Sequence, residues 1–302
     1  MARLRFPLRT PWLPQLLNRP RYPLALRKEK RMTVCIAAIA GQPNRTKPYI
    51  VTASDTMVYG STFSADMNTV KSEPFHANWT AMMAADDLTQ CVPIIEKAKE
   101  YFEGRKNTLA VARAVFKRAF QRHVVEMRED AVLGAYGLKM ADFLKSGKRR
   151  FTERQYDSMC RKMEAIDPKC EFIIWGFDGM KRPHIFHVDG LGSDAVFDKP
   201  GFCSIGSGKW AAEAMLFYLG QSMEKNLEET LFNVCAAKFS AERYGIGKHT
   251  YVFARHFGSA MFSWENGMLE HIREVWEQRG CPRVPEGAIE QIRSYNPRCL
   301  PE

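Results

Sequence analysis

No stretch of this chain approaches the ~18 uninterrupted apolar residues that a membrane-spanning helix requires, and no partner membrane is expected. The eight cysteines include no Cys-x-x-Cys pair. Scattered over so long a chain they read as neither a zinc site nor a secreted disulfide framework. Cys35, Cys203 and Cys235 lie in apolar runs, where cysteine acts as a small buried hydrophobe. A reducing cytoplasm is the expected compartment. A charge excess over the folded part is missing too. Of 44 Lys and Arg against 34 Asp and Glu, nine basic and one acidic residue fall within 1–31, so from Met32 onward 35 basic face 33 acidic residues. A nucleic-acid footprint over the domain is therefore disfavoured. Gly208-Lys209 does not form a phosphate loop, since Cys203 stands five positions before Gly208 and Trp210 occupies the required Ser/Thr place. His184 and His187 would point to opposite faces of a strand, which argues against a shared metal ion.

Residues 1–32 are instead a basic, Pro-rich extension carrying Pro7, Pro11, Pro14, Pro20 and Pro23. Prolines at that density break an amphipathic helix, and the segment lacks the apolar core of a secretory signal. Three alternatives stay open: a start placed too early, a removable pro-segment, or a retained basic arm. Met32-Thr33 then opens the apolar run Val34–Ala40. With the extension gone, Thr33 would carry a hydroxyl and a free α-amine on one residue. A terminal amine acting as base is one way to activate a threonine nucleophile.

A second strand over Tyr49–Ser54 follows turn residues 41–48. If Ala40 faces Tyr49, counting back places Thr33 opposite Asp55 or Thr56. Hairpin register alone would then bring a carboxylate beside the nucleophile. Short strands are expected at Thr69–Ser72 and Trp79–Ala84, a helix over Asp86–Phe102, and another opened by Asn107 as its cap. Residues 145–169 are charged and poorly periodic and read as an insertion. Strands return at Glu171–Phe177, His184–Val188, Ala195–Phe197 and Phe202–Ile205. Gly206-Ser-Gly208 marks a sharp turn into helices over Lys209–Leu219 and Leu227–Phe239. Strands over Thr250–Phe257, Ser259–Trp264 and Met268–Ile272 close a domain spanning 33–280, with 281–302 as a tail. Strands and helix pairs that segregate in this way argue α+β, and two such halves stacked sheet on sheet give a four-layer αββα sandwich.

Several segments together resemble the proteasome-like branch of the N-terminal nucleophile hydrolases, meaning proteasome β-subunits and the related bacterial ATPase-partnered peptidase. Thr33-Val-Cys-Ile-Ala-Ala is similar to that family's opening strand, Ile50-Val-Thr-Ala-Ser-Asp55 to its second, and Thr69-Val-Lys71 to the strand with its catalytic lysine. Ser204-Ile-Gly-Ser-Gly-Lys209 resembles its Gly-Ser-Gly turn. The resemblance runs from about 33 to 272, the insertion excepted. It implies Thr33 as nucleophile, Lys71 as the ammonium that stabilises its alkoxide, and Asp55 as the partner that orients Lys71. Ser207 reads either as a hydroxyl beside the threonine amine or as a simple helix N-cap. The family's oxyanion-hole glycine falls on Ala84 or Ala85, and the backbone N–H donor is implied at Ala85. No metal or organic cofactor is implied. A peptide or protein substrate, a homo-oligomer such as a ring, and an ATPase partner are.

The chain departs from the family at Glu242-Arg-Tyr-Gly-Ile-Gly247, where the family carries Arg-Asp-x-x-Ser-Gly. The missing aspartate and serine favour a second expectation, a non-catalytic scaffold subunit of the same fold. A third, more distant one is a nucleic-acid module using the basic arm; it would show steep salt dependence.

Overall fold

The computed structural model describes residues 33–41, 47–59, 64–66, 70–85, 87–242, 246–264 and 266–282. The expectations for the 1–32 extension, most of the first hairpin loop, Thr69 and the tail beyond Pro282 lie outside those residues.

Five strands, β1 (Cys35–Ala40), β2 (Tyr49–Asp55), β3 (Met57–Tyr59), β4 (Ser64–Asp66) and β5 (Ser72–His76), precede β6 (Trp79–Ala85). Helices α1 (Val92–Phe102), α2 (Leu109–Arg128), α3 (Met140–Arg150) and α4 (Glu153–Glu164) follow. Then come β7 (Cys170–Phe177), β8 (Pro183–Val188), β9 (Asp194–Val196) and β10 (Phe202–Ile205). The helix pair α5 (Lys209–Tyr218) and α6 (Leu227–Glu242) leads to β11 (Thr250–His256), β12 (Phe262–Ser263) and α7 (Asn266–Val275). The fold is α+β: two five-stranded antiparallel sheets, ordered β10-β1-β2-β11-β12 and β5-β6-β7-β8-β9, with β3-β4 as a separate hairpin.

β1 explains why its sequence shows no apolar–polar alternation. Every residue in it is buried, because it is a central strand covered on both faces. Its side chains still separate by the strand's period of two. Cys35, Ala37 and Ile39 join Met82, Ala84, Ile173, Trp175 and Ile185 of the second sheet in one apolar cluster. Ile36, Ala38 and Ala40 turn the other way, into a cluster with residues of α5, α6 and α7. The second sheet sends Ala81, Met83, Phe172 and Ile174 into a third cluster with α1 and α2.

Four local expectations change. α2 is capped by Thr108, whose hydroxyl accepts from the Val111 N–H. Asn107 instead accepts the buried Trp79 indole N–H at 2.6 Å and donates to the Phe177 carbonyl at 3.1 Å, since a buried Trp needs an acceptor. The helix expected from Asp86 starts at Val92, after a short 3-10 turn over Leu88–Gln90 capped by Asp87. The charged insertion is helical. α3 and α4 bury a small core of their own around Leu133, Phe143, Met159 and Met163, and Thr152 with Gln155 forms a capping box. With so few buried positions per helix, periodicity there is faint. Lastly, Met268–Ile272 belongs to helix α7, whose Leu269, Ile272 and the following Trp276 pack on the α6 side. Their spacing of three and four is helical.

Candidate active site

The first hairpin keeps the expected register: Ala40 pairs with Tyr49 and Cys35 with Ser54. One residue earlier the chain brings Val34 against Asp55, whose N–H donates to the Val34 carbonyl at 3.3 Å. The Asp55 carboxylate, at the very end of β2, therefore turns back under the start of β1. Its Oδ1 accepts the Val34 N–H at 2.9 Å and the Thr33 hydroxyl at 2.7 Å. On its far side β2 pairs with β11, Asp55 facing Thr250.

Lys71 does not lie within a strand; it immediately precedes β5, and its carbonyl accepts the Met83 N–H at 2.9 Å. That bond ties the lysine backbone to β6 of the second sheet. The side chain then reaches across to the first sheet. Its ammonium lies 2.9 Å from both carboxylate oxygens of Asp55 and also donates to the Thr33 hydroxyl oxygen. Asp55 and Lys71 are 0% and 1% exposed. Burying two charges so completely is costly unless they pair closely and their remaining lone pairs and protons are satisfied. Here the pair meets that condition, partly through Thr33. Thr33 itself is only partly buried.

The Gly206–Gly208 turn closes the site from β10. Ser207 Oγ accepts the Thr33 N–H at 3.1 Å, and the Gly208 N–H donates to the Thr33 carbonyl at 3.1 Å. Helix α5 starts at Lys209 with Gly208 as its cap residue and no side-chain cap, so the N-cap reading of Ser207 is corrected. Its hydroxyl is taken up at Thr33 instead. Gly206 has φ +88°, and a Cβ there would stand 2.3 Å from the Thr33 carbonyl oxygen. The glycine is a requirement of close approach.

A cavity of about 290 Å³ opens beside Thr33, lined by Ala84, Ala85, Cys170, Glu171, Gly206 and Ser207 among others. Ala85 thus shares a cavity with Thr33. Cys35 is no rival nucleophile: burial pushes its thiol up to about 12. His184 and His187 take separate partners, His184 Nδ1 lying 2.7 Å from Asp198 and His187 Nε2 3.1 Å from Glu171. Among the described residues no group of three or more His, Cys, Asp or Glu could hold a metal ion.

Thr33, Asp55, Lys71 and Ser207 are therefore brought together, from three different parts of the chain. Sequence reasoning missed Glu171, which faces the same cavity and bonds to the turn. A lone carboxylate at the head of the apolar run Phe172–Phe177 was the signal available.

The architecture belongs with α+β proteins built on two antiparallel sheets. One solved structure that shares it is a chain in the helical assembly of the Anbu complex from Pseudomonas aeruginosa, with a TM-score of 0.54 at 13% identity, the match covering 84% of this chain and 99% of that chain. At such identity the likeness concerns the fold. No family model and no curated protein sequence matches the chain. No helix among the described residues is long and apolar enough to cross a membrane.

Proposed function

We propose that this chain is a proteasome-like threonine hydrolase that cleaves amide bonds in a peptide or protein substrate, built as a four-layer αββα sandwich. The observation that carries the reading is the meeting of the Thr33 hydroxyl with the buried Lys71–Asp55 pair at the mouth of a cavity. Buried, interacting titratable groups in a cleft are where function concentrates.

Removal of residues 1–32 turns the Thr33 nitrogen from a peptide N–H into an α-amine. Such an amine has an ordinary pKa near 7.7–8.0, so a useful fraction is neutral at physiological pH. The neutral amine takes the hydroxyl proton as Thr33 Oγ bonds to the substrate carbonyl carbon. The Lys71 ammonium, oriented by Asp55, stabilises the developing charge on Oγ. Backbone N–H groups near Ala85 hold the carbonyl oxyanion. The amine then gives its proton to the leaving nitrogen as the C–N bond breaks, leaving an ester on Thr33. Water hydrolyses that ester, and its proton passes through the same amine. Ser207 Oγ stays beside the amine and holds it in place.

The helical assembly of the Anbu complex supports self-association of this chain as well; a ring and an ATPase partner extend that reading. The free thiols of Cys35, Cys91, Cys160, Cys170, Cys203 and Cys235 accord with a reducing, cytoplasmic setting. A scaffold role is favoured by one observation, the loss of the family's aspartate and serine from 242–247.

Intact-mass analysis of protein from its native host, with and without a β-lactone electrophile, tests the proposal. The mature chain should begin at Thr33 and gain one lactone mass there. Thr33→Ala should gain none, and Lys71→Ala should react slower by about 10²–10³-fold, the usual cost of losing one stabilising donor. A mature chain that still begins at Met1 and resists the probe overturns it.

A further inference from the structure

The threonine and its ion pair account for the reacting atoms, but they leave a half-buried carboxylate in the same cavity without a role. Glu171 is the second residue of β7 in the second sheet, while the Gly206–Gly208 turn leaves β10 in the first. Glu171 Oε1 nonetheless accepts the Gly206 N–H at 2.7 Å. Its other oxygen, Oε2, lies 3.1 Å from His187 Nε2. His187 sits on β8, paired with Ile173, which makes it the diagonal, same-face neighbour of Glu171 across the two strands. Neither carboxylate oxygen is idle, and the bond to Gly206 bridges the two sheets at the cavity wall.

The turn it holds has little freedom to spare. Gly206 lies against the Thr33 carbonyl, Gly208 donates to that same carbonyl, and Ser207 between them accepts the Thr33 N–H. A displaced turn moves both the Ser207 hydroxyl and the Thr33 backbone. Burial pushes the Glu171 carboxyl up, but the bonds from His187 and the Gly206 N–H, with Lys209 nearby, outweigh it and keep it below the ordinary carboxylate range. The residue stays an acceptor.

We propose that Glu171, held in place by His187, is a positioning residue that clamps the Gly206–Ser207–Gly208 turn against Thr33 and so places the Ser207 hydroxyl at the Thr33 nitrogen. The inference rests on the reading of Thr33 as an N-terminal nucleophile. Glu171 acts through the turn and touches no reacting atom, so its loss should slow the chemical step and leave probe binding almost unchanged.

The test uses protein from the native host, its N-terminus read by mass, labelled with an alkyl β-lactone over a range of concentrations. Saturation separates the limiting acylation rate from the half-saturating concentration. Glu171→Ala should lower the limiting rate about 10- to 100-fold, the scale expected for a misplacement near 1 Å, with half-saturation shifted by less than about threefold. Glu171→Gln keeps an amide oxygen for the Gly206 N–H and should recover most of that loss. If the two residues act as one unit, Glu171→Ala combined with Ser207→Ala should be no slower than the slower single variant. Hydrogen exchange of the peptide spanning 202–210 should quicken in Glu171→Ala and not in Glu171→Gln. Full wild-type rate in Glu171→Ala overturns this proposal while the nucleophile reading stands. So does a Gln variant as slow as Ala with a multiplicative double variant. A wild-type protein that never labels at Thr33 overturns the nucleophile reading first, and this proposal with it.

Discussion

Gly206→Ala is the sharpest perturbation the structure offers, because one added carbon meets the residue on which the site depends. An ideal Cβ at position 206 stands 2.3 Å from the Thr33 carbonyl oxygen and 2.7 Å from Thr33 Cγ2. Ordinary contact between such atoms is ~3.5–4.0 Å, so the turn and Thr33 must part by about 1 Å. The backbone adds a second penalty. At φ +88° a residue with a side chain pays roughly 1–2 kcal/mol, and relief of the overlap adds a further ~1–3 kcal/mol. Gly220 supplies the control, since its φ is +62° and a Cβ there would meet nothing within 4 Å. Gly220→Ala carries the backbone cost alone. Urea denaturation should therefore find Gly206→Ala less stable than Gly220→Ala by about 1–3 kcal/mol. Lactone labelling should fall on the order of 10²-fold in Gly206→Ala, as a 1 Å misplacement commonly costs, and hold near wild type in Gly220→Ala. Equal stability losses with equal labelling in the two variants would refute the claim that the turn presses on Thr33.

Two further predictions concern charges away from the reacting atoms. Lys238 is fully buried and donates to Glu242 Oε1 at 2.5 Å, the Gly247 carbonyl at 2.6 Å and the Lys248 carbonyl at 3.0 Å. Lys238→Met should cost ~3–5 kcal/mol in a denaturation midpoint series, the range for breaking a buried pair, and a neutral result would show that the loop before β11 holds without it. For His184, burial opposes protonation, but Asp198 at 2.7 Å and Asp178 at 3.3 Å overcome it and raise its pKa. A raised histidine stabilises fully below its unfolded value, near 6.5, and loses that contribution as pH rises through the folded one. The stability gap between wild type and His184→Gln should accordingly shrink from pH 5.5 to pH 8, and a gap that widens with pH would contradict the assignment.

Where a residue's position followed from local chain geometry, the sequence was a reliable guide. Asp55 could be placed beside Thr33 because strand register is a counting argument, and Ala40 does face Tyr49. Lys71 was harder. Its place beside Asp55 depends on a crossing between sheets that no local pattern encodes, and only the family resemblance pointed to it. Glu171 was harder still: its bond to Gly206 joins strands of different sheets. Two of the other errors share one cause, too few buried positions in a helix. The second half of the 145–169 insertion buries Met159 and Met163 alone in α4, so its helix shows faint periodicity. In α7, Leu269 and Ile272 sit three apart in a short apolar-looking run, and so few positions cannot separate period two from period 3.6. Asn107 resembles a cap in sequence, but the Trp79 indole competes for its oxygen.

The departure at 242–247 is the best argument against catalysis, and the structure narrows what it removes. Glu242 is engaged by the Arg273 guanidinium at 2.7 and 2.8 Å and by Lys238. Ile246 lies against the turn from the other side, where a Cβ on Gly208 would come within 3.0 Å of Ile246 Cδ1. Apolar packing thus braces the turn at the position where the resembling family offers a serine hydroxyl. At that one position a hydroxyl gives way to apolar packing, while Thr33, Asp55, Lys71 and Ser207 still meet. A scaffold would have little reason to keep Lys71 and Asp55 buried behind a threonine that lines a cavity. Apolar residues of similar volume commonly stabilise as well as a buried ion pair or better, and here the pair also bonds to a partly buried threonine hydroxyl, beside the Val34 N–H. That expense is understandable if the hydroxyl is the point of the arrangement, and it weighs the balance toward chemistry at Thr33.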